Sequence, residues 1–175
     1  MINGNFYFLK DKYFIDFPDK YLMKNKELIS GVEHNRPCFY SFIDSETGIY
    51  WMIPFSSQIG KFKDVYSKKV KKYGFCDTIV FGSVLGHKKA FLIQNMCPVL
   101  PVYISNEYVD KNSNLPVHIE EHIEDILTRK AKKVLQLQRK GKKLIFPDVL
   151  AIEHVLLELM VVEQVAATSD QESKG

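Results

Sequence analysis

Pro54-Phe55-Ser56-Ser57-Gln58-Ile59-Gly60-Lys61 follows an aromatic strand pattern and opens a lysine-rich segment. Upstream, His34-Asn35-Arg36-Pro37-Cys38-Phe39-Tyr40 opens the strand that would pair with it. A guanidinium binds two phosphate oxygens at once, and hydroxyls at a helix start sit beside amides that favour anions. Imidazole titrates near neutrality. Such groups suit cleavage of an RNA backbone without a metal or a water nucleophile. In that chemistry the 2′-hydroxyl attacks its neighbouring phosphate and leaves a 2′,3′-cyclic phosphate and a 5′-hydroxyl. A base must take the 2′ proton, an acid must protonate the leaving oxygen, and donors must hold the added negative charge. Arg36, Lys61, Ser56 and Ser57 are the candidate donors, and His34 the candidate base or acid. For one of the two serines plain helix capping is the structural alternative.

The elements that must position these groups read as β structure first and helix later. Phe6–Lys10 and Tyr13–Phe17 have the pattern of short aromatic strands around a turn, and 21–36 of a loop or short helix. Pro37–Ile43 and Ile49–Pro54 form a hairpin around Asp44-Ser45-Glu46-Thr47-Gly48. An amphipathic helix over 57–72 follows, with Ile59, Phe62 and Val70 on one side. Asp77–Val84 and Lys89–Gln94 pair around Gly86-His87, and Val99–Ile104 is a further strand. Val117–Arg139 has helical spacing and ends at Gly141. A last helix runs from Asp148 to about Val165. The expectation is one α+β domain over 1–165, a bent antiparallel sheet or small barrel with added helices. The small polar stretch 166–175 is expected to be disordered.

Net charge is only +3, yet 14 of the 24 Lys and Arg residues lie in two short segments, 61–72 and 129–143. The first holds one acid, Asp64, and the second none. Clustering of this kind suits a phosphate-binding surface. Three cysteines, Cys38, Cys76 and Cys97, make an odd count that points to reduced thiols in a cytoplasm rather than a disulfide framework. Phe6-Tyr7-Phe8-Leu9 is broken by Lys10-Asp11-Lys12, so no signal peptide is expected, and no apolar run nears the roughly 20 residues of a membrane span.

Taken together, Lys12-Tyr13, Asn35-Arg36-Pro37, the strand Ile49–Pro54 leading into the serine turn, and Phe91–Pro98 resemble a known family. Arginine-proline at a strand start and a hydroxyl-rich turn after the next strand resemble the MazF/Kid-type ribonuclease toxins. The nearer likeness is to the type III toxins, the ToxN/AbiQ group and its CptN branch, over roughly residues 5–160. The resemblance implies an SH3-like antiparallel β-barrel with added helices and a metal-independent endoribonuclease toxin that needs no cofactor. It also implies a folded, repetitive RNA antitoxin that the toxin processes and stays bound to in a closed toxin–RNA assembly. Cellular or phage RNA would be the substrate, and phage defence by abortive infection the role. By position, Ser57 matches the serine those toxins need and Ser56 the neighbouring threonine. Arg36 matches a lysine or arginine, and Tyr13 a tyrosine after a lysine. Relatives place a lysine just after the serine pair, whereas here Gln58-Ile59-Gly60 precedes Lys61. The RNA-binding candidates are Lys12, Tyr13, Lys63, Arg129, Lys130, Lys132, Lys133, Arg139 and Lys140.

Two alternatives stand beside this reading. His118-Ile119-Glu120-Glu121-His122 has the H-x-x-E-H spacing of some zinc hydrolases, which would set both imidazoles on one helical face. A non-catalytic RNA-binding protein would also explain the basic clusters and aromatics.

Overall fold

Phe39 and Phe55 from neighbouring strands, Phe6 from the first and Phe91 from a later one point to one side of a sheet and meet there. Phe6 lies edge-on to Phe39 and to Phe55, each with ring centroids 5.4 Å apart. All four rings are buried, a large apolar payload for one cluster. The computed structural model describes residues 1–24, 26–29 and 32–172, with the side chains of 27–29, 32–34 and 163–172 left outside the description.

The strands are β1 (Phe6–Leu9), β2 (Lys26–Ile29), β3 (Val32–Asn35), β4 (Cys38–Ile43), β5 (Tyr50–Ser56), β6 (Ile79–Val84), β7 (His87–Leu92), β8 (Cys97–Val99) and β9 (Ile104–Glu107). The helices are α1 (Asp11–Asp16), α2 (Ile59–Tyr73), α3 (Glu121–Arg139) and α4 (Val149–Glu172). Seven strands form an antiparallel sheet in the order β6-β7-β5-β4-β1-β9, with β8 also on β5. Among the described residues β6 and β9 are the two ends of that path, and the sheet is not closed into a barrel. The protein is thus α+β. Strand β5 is central: β4 lines one side, while β8 bonds its first half and β7 its second.

Helix α3 buries Leu127, Ala131, Val134 and Leu135, a stripe at three- and four-residue spacing, against the face that carries the phenylalanines. Helix α2 docks Phe62 beside Ile79, Ala90 and Leu92 and stops at Gly74, whose φ of 80° suits glycine. Helix α4 packs Ile152 and Leu156 beside Tyr13, Met52, Cys97 and Val99. Its Asp148 carboxylate accepts the Ala151 N–H at 3.3 Å, as an acidic cap does. Among the described residues no helix is long and apolar enough to cross a membrane.

Several expectations need correction. Residues 13–17, read as a strand, lie mostly in helix α1: its six residues bury only Tyr13, so aromatic content rather than alternation carried the strand reading. The stretch read as loop or short helix contains the β2–β3 ribbon, with Lys26 opposite Asn35 and Glu27 opposite His34. The single strand expected over Val99–Ile104 is split by Pro101, which cannot donate to a ladder. Helix α4 runs past Val165 to Glu172, into the stretch read as a tail. Residues 173–175 lie outside the described residues.

Candidate functional site

The β5–β7 register pairs Phe55 with Phe91 and Ser56 with Ala90. One step further along, Ser57 faces Lys89. Side chains alternate along a strand, so Lys89 continues the column of Phe91, and its ammonium meets Ser57 just past the end of β5. The aromatic core therefore ends, at this edge, in a hydroxyl and an ammonium. Lys89 Nζ donates to Ser57 Oγ at 2.6 Å and lies 6.0 Å from the Phe55 ring centroid.

Both line a cleft of about 210 Å³. Asn35 contributes from the end of β3, Arg36 and Pro37 from the link into β4, Val84, Leu85 and His87 from the β6–β7 hairpin, and Tyr108 from just beyond β9. Phe55 and Val84 are buried at its base, Arg36, Lys89 and Tyr108 are half-buried, and Ser57 and His87 are exposed. One arm of Arg36 is anchored, Nη1 donating to the Lys24 carbonyl at 3.0 Å. Among the described residues no aspartate or glutamate lines the cleft. Two cations lining one cleft make a site suited to an anion.

The serine pair divides its work. Ser56 Oγ accepts the Gln58 N–H at 3.2 Å and closes the turn before α2. Neither hydroxyl caps the helix, because Gln58 is the residue before its first turn. Ser57 is left as the hydroxyl on the cleft.

Other candidates fall elsewhere. Lys61 is not among the cleft-lining residues; it sits on the first turn of α2 with its ammonium 5.5 Å from the Phe62 ring centroid. The backbone of His34 belongs to β3 next to the cleft, and its side chain lies outside the described residues. Tyr13, expected to touch RNA, is fully buried and donates to the Pro98 carbonyl at 2.8 Å. Burial pushes its phenol well above the ordinary range. Lys12 is exposed and pairs with Asp16 at 2.7 Å.

The second basic cluster is partly neutralised. Lys133 meets Asp77 at 2.6 Å, Lys130 meets it at 3.7 Å, and Lys130 also donates to the Cys76 carbonyl at 2.7 Å. Arg139 reaches Asp44 at 2.6 Å and also bonds Glu153, which makes it an internal tie rather than an RNA contact. Lys132 lies over the Phe42 ring, and Arg129, Lys63 and Lys140 are exposed. The zinc alternative loses its premise, since α3 begins at Glu121 and leaves His118 outside it. Among the described residues no group of three or more potential ligands is placed for a metal ion.

Sequence reasoning missed Lys89, His87 and Tyr108. Local pattern does not say which strand borders the free half of β5. The cross-strand position of Lys89 was available only once Phe55 and Phe91 were known to pair. No protein-family model and no curated protein matches the chain.

Proposed function

We propose that the chain is a metal-independent endoribonuclease toxin of a type III toxin–antitoxin system. The observation that carries this reading is the shared cleft: Arg36, Ser57 and Lys89 line one solvent-open site. A phosphodiester placed there meets a guanidinium, an ammonium and a hydroxyl. Donors of this kind stabilise charge that grows on the phosphoryl oxygens as the 2′ oxygen attacks. The products are a 2′,3′-cyclic phosphate and a 5′-hydroxyl.

The remaining parts of the reading follow the family resemblance. The toxin processes a repetitive RNA antitoxin and is inhibited by it within a closed toxin–RNA assembly. Released in the cytoplasm, it cuts cellular or phage RNA. Exposed cations at Lys61, Lys63, Arg129 and Lys140 offer sites for phosphates of the folded RNA. The accompanying fold reading is a MazF/Kid-like SH3-like barrel. Its support is the antiparallel path β7-β5-β4-β1 around Phe6, Phe39, Phe55 and Phe91.

The test is an RNA cleavage assay in chelator with end-group analysis. Wild type is expected to leave cyclic phosphate ends. Ser57→Ala is expected to bind RNA with wild-type affinity and lose about 10²–10³-fold in rate. Wild-type protein that binds RNA without cutting it would overturn the reading in favour of a non-catalytic RNA-binding protein.

A further inference from the structure

Among the described residues, the cations that line the cleft, Arg36 and Lys89, are donors. Arg36 and Lys89 can only donate when charged. Asn35, Ser57 and Tyr108 are neutral amide or hydroxyl groups, weak bases at neutral pH. Among the described residues that line the cleft, His87 carries the one imidazole.

Its placement is fixed by the backbone. β6 and β7 are joined by the two-residue turn Leu85-Gly86, with φ of 48° and 75°. Positive φ at both central residues is the pattern of a hairpin whose twist matches its strands. The turn sets Val84 opposite His87 and carries through Gly82↔Lys89 to Val80↔Phe91. His87, Lys89 and Phe91 therefore share one face of β7. Phe91 enters the core, Lys89 meets Ser57, and His87 stands at the mouth. Leu85, a non-glycine residue at positive φ, is 45% exposed and lines the same cleft. Such conformations gather at functional sites.

We propose that His87 is the general base that takes the 2′ proton, an assignment that rests on the RNA-cleavage reading above. The neutral imidazole accepts that proton as the 2′ oxygen–phosphorus bond forms. The phosphorus–5′ oxygen bond breaks, its electron pair goes to the 5′ oxygen, and that oxygen takes a proton from solvent. The imidazolium then returns its proton to water. Among the described residues, Arg36 from the link before β4, Lys89 on β7 and Tyr108 beyond β9 are the other charged or titratable groups lining the cleft with His87. The two cations hold the phosphoryl oxygens, and the imidazole handles the proton.

The experiment is single-turnover cleavage of a defined RNA in chelator, from about pH 5 to about pH 9, with RNA affinity and melting temperature measured alongside. Wild type is expected to show a rate that rises with pH through the imidazole range. His87→Gln is expected to lose on the order of 100-fold or more and to lose that rise, with RNA affinity unchanged. His87→Gly is expected to regain roughly tenfold or more on addition of imidazole. His87→Gln cutting at close to the wild-type rate would overturn the proposal. So would a rise that survives in His87→Gln and vanishes in His34→Gln. Wild-type protein that fails to cut at all would overturn the RNA-cleavage reading and this assignment with it, and is seen before any variant is made.

Discussion

Lys89 precedes Ala90 on β7 and Ser57 follows the last residue of β5, and the ammonium donates to the hydroxyl at 2.6 Å. That bond fixes the rotamer of a side chain that is otherwise exposed. Lys89→Met and Ser57→Ala are each expected to lower single-turnover cleavage by about 10²–10³-fold. The double variant is expected to lose little more than either alone, because contacting residues couple. A double-mutant cycle on the cleavage rate checks this, and full additivity would show that the two act independently.

Arg139 ties the β4–β5 turn to α4 through Asp44 and Glu153, which are 8% and 7% exposed. Removing the guanidinium leaves two buried carboxylates without their cation. Arg139→Met is expected to cost about 3 kcal/mol of unfolding free energy, read from the urea midpoint. The salt dependence of RNA binding is expected to stay as in the wild type.

RNA affinity itself is expected to fall steeply with salt. Lys61→Ala and Lys63→Ala should each lower the slope of log affinity against log salt by about one. Lys133→Ala should lower it less, since Asp77 already holds that ammonium at 2.6 Å. Titrations at several salt concentrations separate the two groups.

Asp16 accepts from the Lys12 ammonium and from the Tyr103 hydroxyl, and these bonds, in that order, hold its carboxyl below the ordinary range. The folded state therefore binds this proton less readily than the unfolded chain. The resulting stability is present above the usual aspartate value of about 3.9 and is lost as pH falls through the lowered folded value. Asp16→Asn should melt below wild type near neutral pH, with the gap closing in acid. A gap that is constant across pH would contradict the linkage.

Cys38, Cys76 and Cys97 are all buried and free. Burial pushes the Cys38 thiol upward and raises Cys97 to about 12. A thiol reagent at about pH 8 should leave Cys38 and Cys97 of the native protein unmodified, because the thiolate is the reactive form. Three thiols should react once the chain is denatured. Rapid modification of the native protein would contradict the burial.

The hairpin that brings Arg36 near the serines was legible from sequence because its turn and strand alternation are local. Cys38 pairs with Pro54, so the residues just before and just after these strands must meet at one end. The C-terminal end of α3, before Gly141, was readable for the same reason, whereas its start lies at Glu121 rather than Val117. Lys89 was not, because neighbour choice in a sheet is settled by distant packing. Tyr13 misled because an aromatic residue serves a strand face or a helix core equally well. Arg139 misled because charge counting does not see Asp44 and Glu153, which arrive from other elements.

Strand β5 changes partner midway, from β8 at Tyr50–Met52 to β7 at Phe55–Ser56, while β4 holds its other side over Tyr50–Pro54. Its first half is therefore bonded on both sides, and Phe55–Ser56 extends from that doubly paired stretch toward the cleft. Trp51, fully buried several residues from the cleft, thus acts as a distant anchor for the Ser57 hydroxyl. Loosening that anchor would be felt at the cleft before the molecule came apart.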